Sequence, residues 1–166
     1  MAFISGERAG GEALVRFLDM VAFAEGTSTS PLTQNDGYDV IVTGVDGPET
    51  FTDYSKHPFV GRMAKVIRRV PLLASTASGR YQILFRFWDA YRKQLNLSDF
   101  SPLSQDLVAL QQIKERGVIA SILAGDIEDA IAECSNIWAS LPGNAYGQPQ
   151  RTVAELVNRF NQTESA

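Results

Sequence analysis

The chain has 166 residues, of which 45% are hydrophobic and 20% charged, as is typical of one compact globular domain with a sizeable core. Its net charge of −4 disfavours a general nucleic-acid binder, and its single cysteine and single histidine exclude an internal disulfide and disfavour a cysteine- or histidine-based metal site. No apolar run reaches the roughly 20 residues that span a bilayer. We therefore expect no metal, no cofactor and no stable membrane insertion, and carboxylates are the natural catalytic groups.

Residues 1–10 are predicted to form a flexible tail ahead of a single domain over residues 11–166. A helix is predicted over residues 12–25, followed by Gly26 as its C-terminal stop. The apolar residues of this helix recur with the spacing of one buried face: Leu14, Phe17, Leu18 and Val21. The segment is interrupted by Arg16 and Asp19, so it is not typical of a signal peptide.

Glu25 lies at the end of this predicted helix, about 20° from Leu14 around the helix axis at about 100° per residue. A carboxyl group at the end of an apolar stripe is partly desolvated, and the helix C-terminus adds negative potential. Both effects raise a pKa, which suits a general acid that protonates a glycosidic oxygen. The alternative is that Glu25 ends the helix with its carboxyl group in water, and position alone favours this alternative.

A β-hairpin is predicted next, with strands over residues 38–42 and 49–52 around the turn at 45–48. The segment between Pro58 and Pro71 has no clear pattern, and a short basic helix is one interpretation. It carries a basic cluster consisting of Arg62, Lys65, Arg68 and Arg69. Charge patterning favours a solvated face, and contact with an anionic polymer such as cell wall is the alternative.

From Ser78 onward the pattern is helical. Helices are predicted to start at residues 79–82, at Pro102 after an N-capping Ser101, at about Val118, at Asp126 and after a capping box formed by Thr152 and Glu155. The helix that starts at Asp126 is expected to continue to Leu141 and to bury Cys134. The fold class is therefore α+β, a mostly helical domain with a small antiparallel β-hairpin region.

Two places in this helical half present side chains that suit a sugar. Tyr81 and Gln82 offer a flat ring and an amide at a predicted helix start, although core packing is the alternative. Tyr146 and Gln148 lie in a loop rich in glycine and proline, of the kind that often lines a cleft, although an ordinary connection is the alternative.

Nine segments, in order and covering most of the chain from about residue 17 to 148, together resemble the phage lambda endolysin family. They are FLDMVAFAEGT at 17–27, GYDVIV at 37–42, FTDYS at 51–55, HP at 57–58, GRYQ at 79–82, WDAYRKQL at 88–95, DFSP at 99–102, LQQIKERG at 110–117 and CSNIWASLPG at 134–143. The basic segment at 58–76 departs from the family pattern.

This resemblance implies a lysozyme-like fold and a lytic transglycosylase that cuts the β-1,4 bond between N-acetylmuramic acid and N-acetylglucosamine in peptidoglycan. It implies that Glu25 first protonates the leaving oxygen and then, as a carboxylate, takes the proton from the muramic acid 6-hydroxyl, which closes onto C1 to give a 1,6-anhydro end. Asp36 and Asp39 are the nearest later acids, and the sequence places neither of them in the site.

The resemblance also implies the substrate contacts and the setting of the reaction. The implied contacts are Tyr81, Gln82, Tyr146, Gln148, Tyr54 and Asp53. The implied partner is the peptidoglycan glycan strand, cut by a monomer that is stored in the host cytoplasm until a holin releases it to the periplasm and cell wall. A hydrolytic muramidase on the same fold and a non-catalytic wall-binding domain are the alternatives.

Overall fold

The computed structural model describes residues 1–162 of the chain. Those residues form two compact units, one made of Met1–Glu25 with the chain from Ala109 onward, and the other of Gly26–Val108. The helices are α1 (Gly6–Ala9), α2 (Glu12–Ala24), α3 (Phe85–Gln94), α4 (Pro102–Glu115), α5 (Ile119–Ala124), α6 (Ile127–Cys134) and α7 (Val153–Gln162). The strands are β1 (Val40–Gly44), β2 (Gly47–Thr50), β3 (Lys65–Arg68) and β4 (Leu73–Ser75). This is the mostly helical α+β architecture that the pattern predicts.

Helix α2 is the central element of the first unit. It contacts α1, α5 and α7, and nine of its residues are buried. The predicted apolar stripe is confirmed, since Leu14, Phe17, Leu18 and Val21 are all fully buried. The helix ends at Ala24, so that Glu25 is its C-cap residue and Gly26 follows with a positive φ of 73°.

The N-terminal residues pack onto this unit, which departs from the loose tail that the sequence predicts. Ala2 and Ile4 are buried, and the Ala2 N–H donates a 2.6 Å hydrogen bond to the Asp19 carboxylate. The Ser5 hydroxyl caps the short helix α1 by accepting from the Arg8 N–H. The segment is too short to show a helical period, and therefore its packing could not be foreseen.

The second unit contains both β-hairpins, and each hairpin is an antiparallel pair. The first, β1–β2, confirms the predicted hairpin. The second corrects the interpretation of the segment between Pro58 and Pro71 as a short basic helix, because β3 lies there and pairs with β4. The β-branched pair Val66 and Ile67 favours a strand at this point.

Two helix boundaries also differ from the prediction. Residues 79–82 form a turn, with Gly79 and Gln82 at positive φ, and α3 begins only at Phe85. Helix α6 ends at Cys134 and not at Leu141. The Ser135 hydroxyl donates to the Ala132 carbonyl there, which is a local bond that competes with continued helix.

The remaining helical predictions are confirmed. Helix α4 begins at Pro102, α5 covers Ile119–Ala124, and the Thr152–Glu155 capping box is formed at the start of α7. Within residues 1–162, no helix combines the length and the apolar character needed to cross a bilayer.

Candidate active site

Glu25 is held at the C-terminus of α2, where its N–H completes the last turn by donating to the Val21 carbonyl. Its side chain is largely buried, and this burial raises the pKa of the carboxyl group to about 7, even though hydrogen bonds from Ser140 act in the opposite direction. Near neutral pH both the acid and the carboxylate forms are therefore present, the condition under which one side chain can both give and take a proton.

Ser140 is the direct partner of this carboxyl group. Its hydroxyl donates a 2.6 Å hydrogen bond to Glu25 Oε1. The serine is itself buried, and its carbonyl accepts from the Arg151 N–H at 3.1 Å, which fixes the loop after α6. A hydroxyl donor favours the charged form of a carboxyl group, so Ser140 limits the rise in the Glu25 pKa and orients the carboxyl group.

A cavity of about 390 Å³ opens beside this pair, a size in the range of small-ligand sites. Its lining is formed by Ala24, Glu25, Ser140, Gln148, Pro149, Gln150 and Arg151. Gln148, which the sequence singles out, therefore lies beside Glu25. Glu25 is the one acid among the described residues that line this cavity.

Arg151 and Gln150 in this lining were not foreseen. The Arg151 guanidinium lies over the Phe23 ring at 4.7 Å, and its Nη1 lies 4.0 Å from a Glu155 carboxylate oxygen. The Gln150 amide donates to the Asn144 carbonyl and side chain. Neither Arg151 nor Gln150 lies in a sequence motif that indicates a function. Ser140 belongs to the CSNIWASLPG segment, but the residue type alone did not single it out.

Tyr146 lies on the same loop as Gln148 but is not among the side chains that line the cavity. It is largely exposed, and its hydroxyl donates to the Asn136 carbonyl at 3.2 Å. Its N–H donates to the Asn144 side chain. The loop thus holds an exposed aromatic ring at a defined position.

Tyr81 and Gln82 lie in the second unit, in the turn at residues 79–82. Tyr81 is buried, and its hydroxyl donates at 2.6 Å to Asp106, which also accepts from Tyr38 at 2.7 Å. The Tyr81 ring is therefore part of the core of this unit, which corrects the expectation that it offers a face to a sugar. Burial is the main reason why its pKa is raised well above the ordinary value.

Gln82 is half-buried and adopts a left-handed conformation with φ of 48°. Its side-chain amide nitrogen donates to the carbonyls of Gly79 at 3.0 Å and Val40 at 3.4 Å. No described residue donates to its amide oxygen. A strained backbone at a non-glycine residue marks a position that its surroundings hold in place, as functional sites often require.

A buried network that the sequence did not reveal supports this turn. Gln105 accepts from the Arg80 N–H at 2.9 Å and donates to the carbonyls of Tyr38 and Phe100. The buried Arg80 guanidinium pairs with the Asp36 carboxylate at 3.0 Å. These contacts join residues far apart in sequence, and periodicity cannot detect them.

Tyr54 and Asp53 also lie in the second unit, and both have structural partners. The Tyr54 hydroxyl accepts from the Asn35 amide at 2.8 Å, and its ring lies 5.1 Å from that of Phe51. The exposed Asp53 carboxylate accepts from the Ser55 N–H in a turn, and hydrogen bonds from the Ser55 hydroxyl and N–H lower the Asp53 pKa. These contacts favour a structural role for the segment.

Both later acids named in the sequence analysis belong to the second unit. Asp39 is buried and accepts from the Thr33 hydroxyl at 2.5 Å and the Gln34 N–H at 2.7 Å, while Asp36 pairs with Arg80. Asp39 is therefore held by partners in its own loop, and Asp36 by an arginine of the turn at residues 79–82.

His57 and Cys134 do not offer further chemistry. His57 is buried, accepts from the Phe59 N–H through Nδ1 and donates through Nε2 to the Ile83 carbonyl, and burial lowers its pKa to about 4. Cys134 is buried as predicted, and burial raises its pKa to about 12. Over residues 1–162, no group of histidine, cysteine or acidic side chains is placed to hold a metal ion.

Comparison with known proteins gives a consistent result. A family model described as endolysin matches residues 15–166. The endolysin of Escherichia phage P2 is 62% identical over 146 residues, which cover 87% of this chain and 88% of that protein. The endolysin of Escherichia phage lambda is 56% identical over 147 residues, which cover 88% of this chain and 87% of that protein.

Solved structures agree with these sequence matches. The lysozyme of bacteriophage lambda complexed with a chitohexasaccharide superposes with a TM-score of 0.82 at 52% identity, over 99% of this chain and 97% of that chain. A second structure of lysozyme from bacteriophage lambda gives a TM-score of 0.79 at 50% identity, over 98% of this chain and 96% of that chain. The predicted lysozyme-like fold and the resemblance to the lambda endolysin family are confirmed.

Proposed function

Because the chain belongs to the endolysin family, we propose that it acts on peptidoglycan and cleaves the β-1,4 bond between N-acetylmuramic acid and N-acetylglucosamine by lytic transglycosylation. The observation that carries this proposal is the largely buried carboxyl group of Glu25, hydrogen-bonded to Ser140 beside a cavity with no second acid in its described lining. The lambda lysozyme structure with a chitohexasaccharide supports an oligosaccharide as ligand.

In the first step, neutral Glu25 donates its proton to the glycosidic oxygen while the bond from that oxygen to C1 of N-acetylmuramic acid breaks. The pKa of about 7 leaves a large fraction of the enzyme in the acid form at neutral pH. A protonated leaving group departs as an alcohol, which removes the cost of expelling an alkoxide.

In the second step, the Glu25 carboxylate accepts the proton of the muramic acid 6-hydroxyl as O6 forms a bond to C1. One glycosidic bond is broken, one anhydro bond is formed, and Glu25 regains its proton, so that no water is consumed. The Ser140 hydroxyl stabilises the carboxylate between the two steps because its hydrogen bond is strongest to the charged form.

Substrate binding is proposed to involve the polar lining of the cavity, with Gln148 as the contact that both the sequence pattern and its placement support. Gln82 is proposed as a second contact through its free amide oxygen, and Tyr146 as a third through its exposed ring. Tyr81, Tyr54 and Asp53 have partners of their own and are proposed to act by supporting the protein backbone.

A hydrolytic muramidase is the second candidate, because it would use the same acid. Such an enzyme ordinarily needs a second carboxylate to activate water or to act as a nucleophile, about 5–9.5 Å from the first. The described cavity lining offers Glu25 alone, and this favours transglycosylation.

The mass of the released glycan products tests the choice of reaction. Digestion of purified peptidoglycan should give products with 1,6-anhydro ends, lighter by one water than the products of hydrolysis. Reducing ends would contradict transglycosylation and support the muramidase. Glu25→Gln should abolish the products while the variant still sediments with peptidoglycan, whereas wall clearing at the wild-type rate would contradict the role of Glu25.

Membership of a phage endolysin family also leads us to propose the setting of the reaction. The protein is stored in the host cytoplasm, reaches the periplasm and cell wall through a separate holin, and acts there as a monomer. Expression in a bacterial host should give prompt lysis only when a holin is supplied. Sedimentation equilibrium should give a mass near the 18.2 kDa of one chain.

A further inference from the structure

The second hairpin, β3–β4, carries an unusual exposed surface. All residues from 68 to 74 are exposed, and the surface that we call the hairpin tip consists of Arg68, Arg69, Val70 and Leu72. Val70 is 86% exposed and Leu72 73% exposed, and Met63, just before β3, is 90% exposed. Aliphatic side chains exposed this far, and so close together, carry a cost in water that a partner would relieve.

The cations at the base of the hairpin are already neutralised within the second unit. Lys65 is buried and lies 3.0 Å from Glu49 and 3.3 Å from Asp46, and Arg62 forms a two-pronged ion pair with Glu49. The Val45 N–H donates to the Val66 carbonyl at 2.8 Å, which ties β3 to the first hairpin. The base is thus charge-balanced and fixed.

The two arginines of the hairpin tip differ from these basal cations. Arg68 donates to the Pro71 carbonyl, and among residues 1–162 neither Arg68 nor Arg69 has a carboxylate partner. The sequence from residue 54 to 88 contains seven lysine and arginine residues and no acid, although the chain carries a net charge of −4. Because Arg62, Lys65 and Arg80 are ion-paired, the positive charge that lacks a carboxylate partner among the described residues at this hairpin is that of Arg68 and Arg69, beside the exposed aliphatic groups.

We propose that the hairpin tip is a peripheral docking surface for anionic lipid bilayers, with Arg68 and Arg69 on phosphate headgroups and Val70 and Leu72 at the acyl boundary. Arginines beside exposed aliphatic side chains match the layered chemistry of an anionic membrane interface. Two aliphatic side chains on one hairpin give reversible contact and no stable insertion. The proposal goes beyond glycan cleavage and does not depend on it.

A lipid surface fits the tip better than a glycan does. Sugars are commonly held by aromatic rings and by side-chain amides or carboxylates, which match their apolar faces and hydroxyl edges. Residues 63–74 contain no aromatic, amide or acidic side chain. Their exposed groups are aliphatic side chains and guanidinium groups, and these suit an anionic bilayer better than a sugar.

Sedimentation of the full chain with lipid vesicles tests the proposal. Wild type should sediment with phosphatidylglycerol–phosphatidylcholine vesicles at low salt, and much less with phosphatidylcholine alone. Each basic residue near an anionic surface strengthens binding about fivefold, so Arg68→Gln/Arg69→Gln should weaken partitioning about 30-fold. Val70→Ser/Leu72→Ser should weaken it at least about tenfold while keeping the charge.

The controls separate the hairpin tip from net charge and from catalysis. Lys114→Gln/Arg116→Gln removes two exposed positive charges on and just after α4 and should partition as wild type does. Glu25→Gln should also bind vesicles as wild type does, which keeps this test independent of the proposed chemistry. Circular dichroism should show that every variant retains its fold, since all the changed tip residues are exposed.

The proposal is overturned if the two hairpin-tip variants bind anionic vesicles as tightly as wild type, or if the Lys114/Arg116 control loses binding equally. It is also overturned if the tip variants keep vesicle binding and instead lose sedimentation with intact peptidoglycan, because the tip would then contact the wall.

Discussion

Ser140 and Glu25 are separated by 115 residues in the sequence, yet the serine hydroxyl donates directly to the carboxyl group that the proposed mechanism uses twice. Burial raises the Glu25 pKa to about 7 and the Ser140 hydrogen bonds lower it, so the final value is a balance of two opposing effects. Since the proposed mechanism requires both protonation states of Glu25, a change in either effect should be visible in the dependence of rate on pH.

Replacing Ser140 by alanine removes the donor to the Glu25 carboxylate and should raise the Glu25 pKa further. Because the acid form is needed first, the pH at which turnover falls on the alkaline side should move upward. The maximal rate should drop by about 10- to 150-fold, since a hydrogen bond to a charged group contributes about 1.5–3 kcal/mol.

The measurement is kcat/KM against pH on purified peptidoglycan. Ser135→Ala is the matched control, because it removes a hydroxyl from the same loop that donates only to the Ala132 carbonyl. An alkaline limb that stays in place or moves downward in Ser140→Ala would refute the role assigned to this serine.

Tyr81 allows a second test at the residue scale. Tyr81→Phe leaves the ring in place but removes one of the two hydroxyls that donate to the buried Asp106. The variant should lose about 1–3 kcal/mol of unfolding free energy, measured by urea denaturation, while KM for peptidoglycan changes less than about twofold. A large rise in KM at unchanged stability would instead show that the hydroxyl contacts substrate.

The geometry of the turn at residues 79–82 constrains its sequence. Gly79 has φ of 79°, and a Cβ atom there would lie 2.1 Å from Gln105 Oε1, which accepts from the Arg80 N–H. A side chain at position 79 would thus disturb both the backbone and the amide that holds the turn.

Gly79→Ala should therefore lower the unfolding free energy by more than about 2 kcal/mol, since strain and a broken buried hydrogen bond act together. Gly117 is a matched control, because its φ of 76° is similar and nothing lies within 4 Å of its added Cβ. Gly117→Ala should cost only about 1 kcal/mol. Equal losses in thermal or urea denaturation would show that the contact with Gln105 contributes nothing.

At the scale of elements, the sequence correctly predicts those helices and strands that a local pattern of residues determines. Helix α2 and the start of α7 follow from apolar period and capping chemistry, and both are confirmed. Strand β3 was missed although its partner β4 is only a few residues away, because the β-branched pair Val66 and Ile67 is a short signal. The late start of α3 was missed because the turn before it is held by Gln105, a residue distant in sequence. Local propensity is overridden at such places by tertiary contacts.

The residues of the candidate site also fall into two groups, those that the sequence indicates and those that only the fold brings together. Glu25 was singled out by its place in an ordered set of motifs, since its position at the end of the α2 stripe alone favoured a solvated helix end; its catalytic role stays a prediction, and Gln148 lies beside it in the cavity. Ser140 and Arg151 could not be found, because their role depends on how the loop after α6 returns to α2. Tyr81 was expected to contact a sugar because of its place in the GRYQ segment, and that segment does not show whether its ring lies in the core, where the structure places it.

At the scale of the whole molecule, two buried titrating groups act oppositely on stability. His57 has its pKa lowered to about 4 by burial, so it contributes stability above pH 6.5 that is lost as the pH falls through the range from 6.5 to 4. Glu25 has its pKa raised to about 7, so its contribution is present below pH 4.5 and is lost as the pH rises from 4.5 to 7. Between pH 4.5 and 6.5 the two effects oppose each other.

Glu25→Gln should expose this balance, because glutamine keeps the shape of the side chain and cannot ionise. The variant should match wild type near pH 4 and become more stable as the pH rises to 8, by up to about 3 kcal/mol, since each pKa unit corresponds to about 1.4 kcal/mol. The stability of the variant should also rise with pH from 4.5 to 6.5, where that of wild type stays nearly flat, because the effect of His57 is then unopposed.

Urea denaturation at pH values from 4 to 8 measures this difference, with Glu133→Gln, an exposed carboxylate at the end of α6, as the matched control. The difference in unfolding free energy between Glu133→Gln and wild type should not increase with pH. If Glu25→Gln gains no stability above pH 7, the Glu25 carboxyl group is not held in a desolvating environment and cannot be the neutral acid of the proposed first step. A gain in unfolding free energy above pH 7 that occurs in Glu25→Gln but not in Glu133→Gln would show that the desolvated Glu25 carboxylate destabilises the folded protein. The proposed mechanism uses the raised pKa that results from the same desolvation.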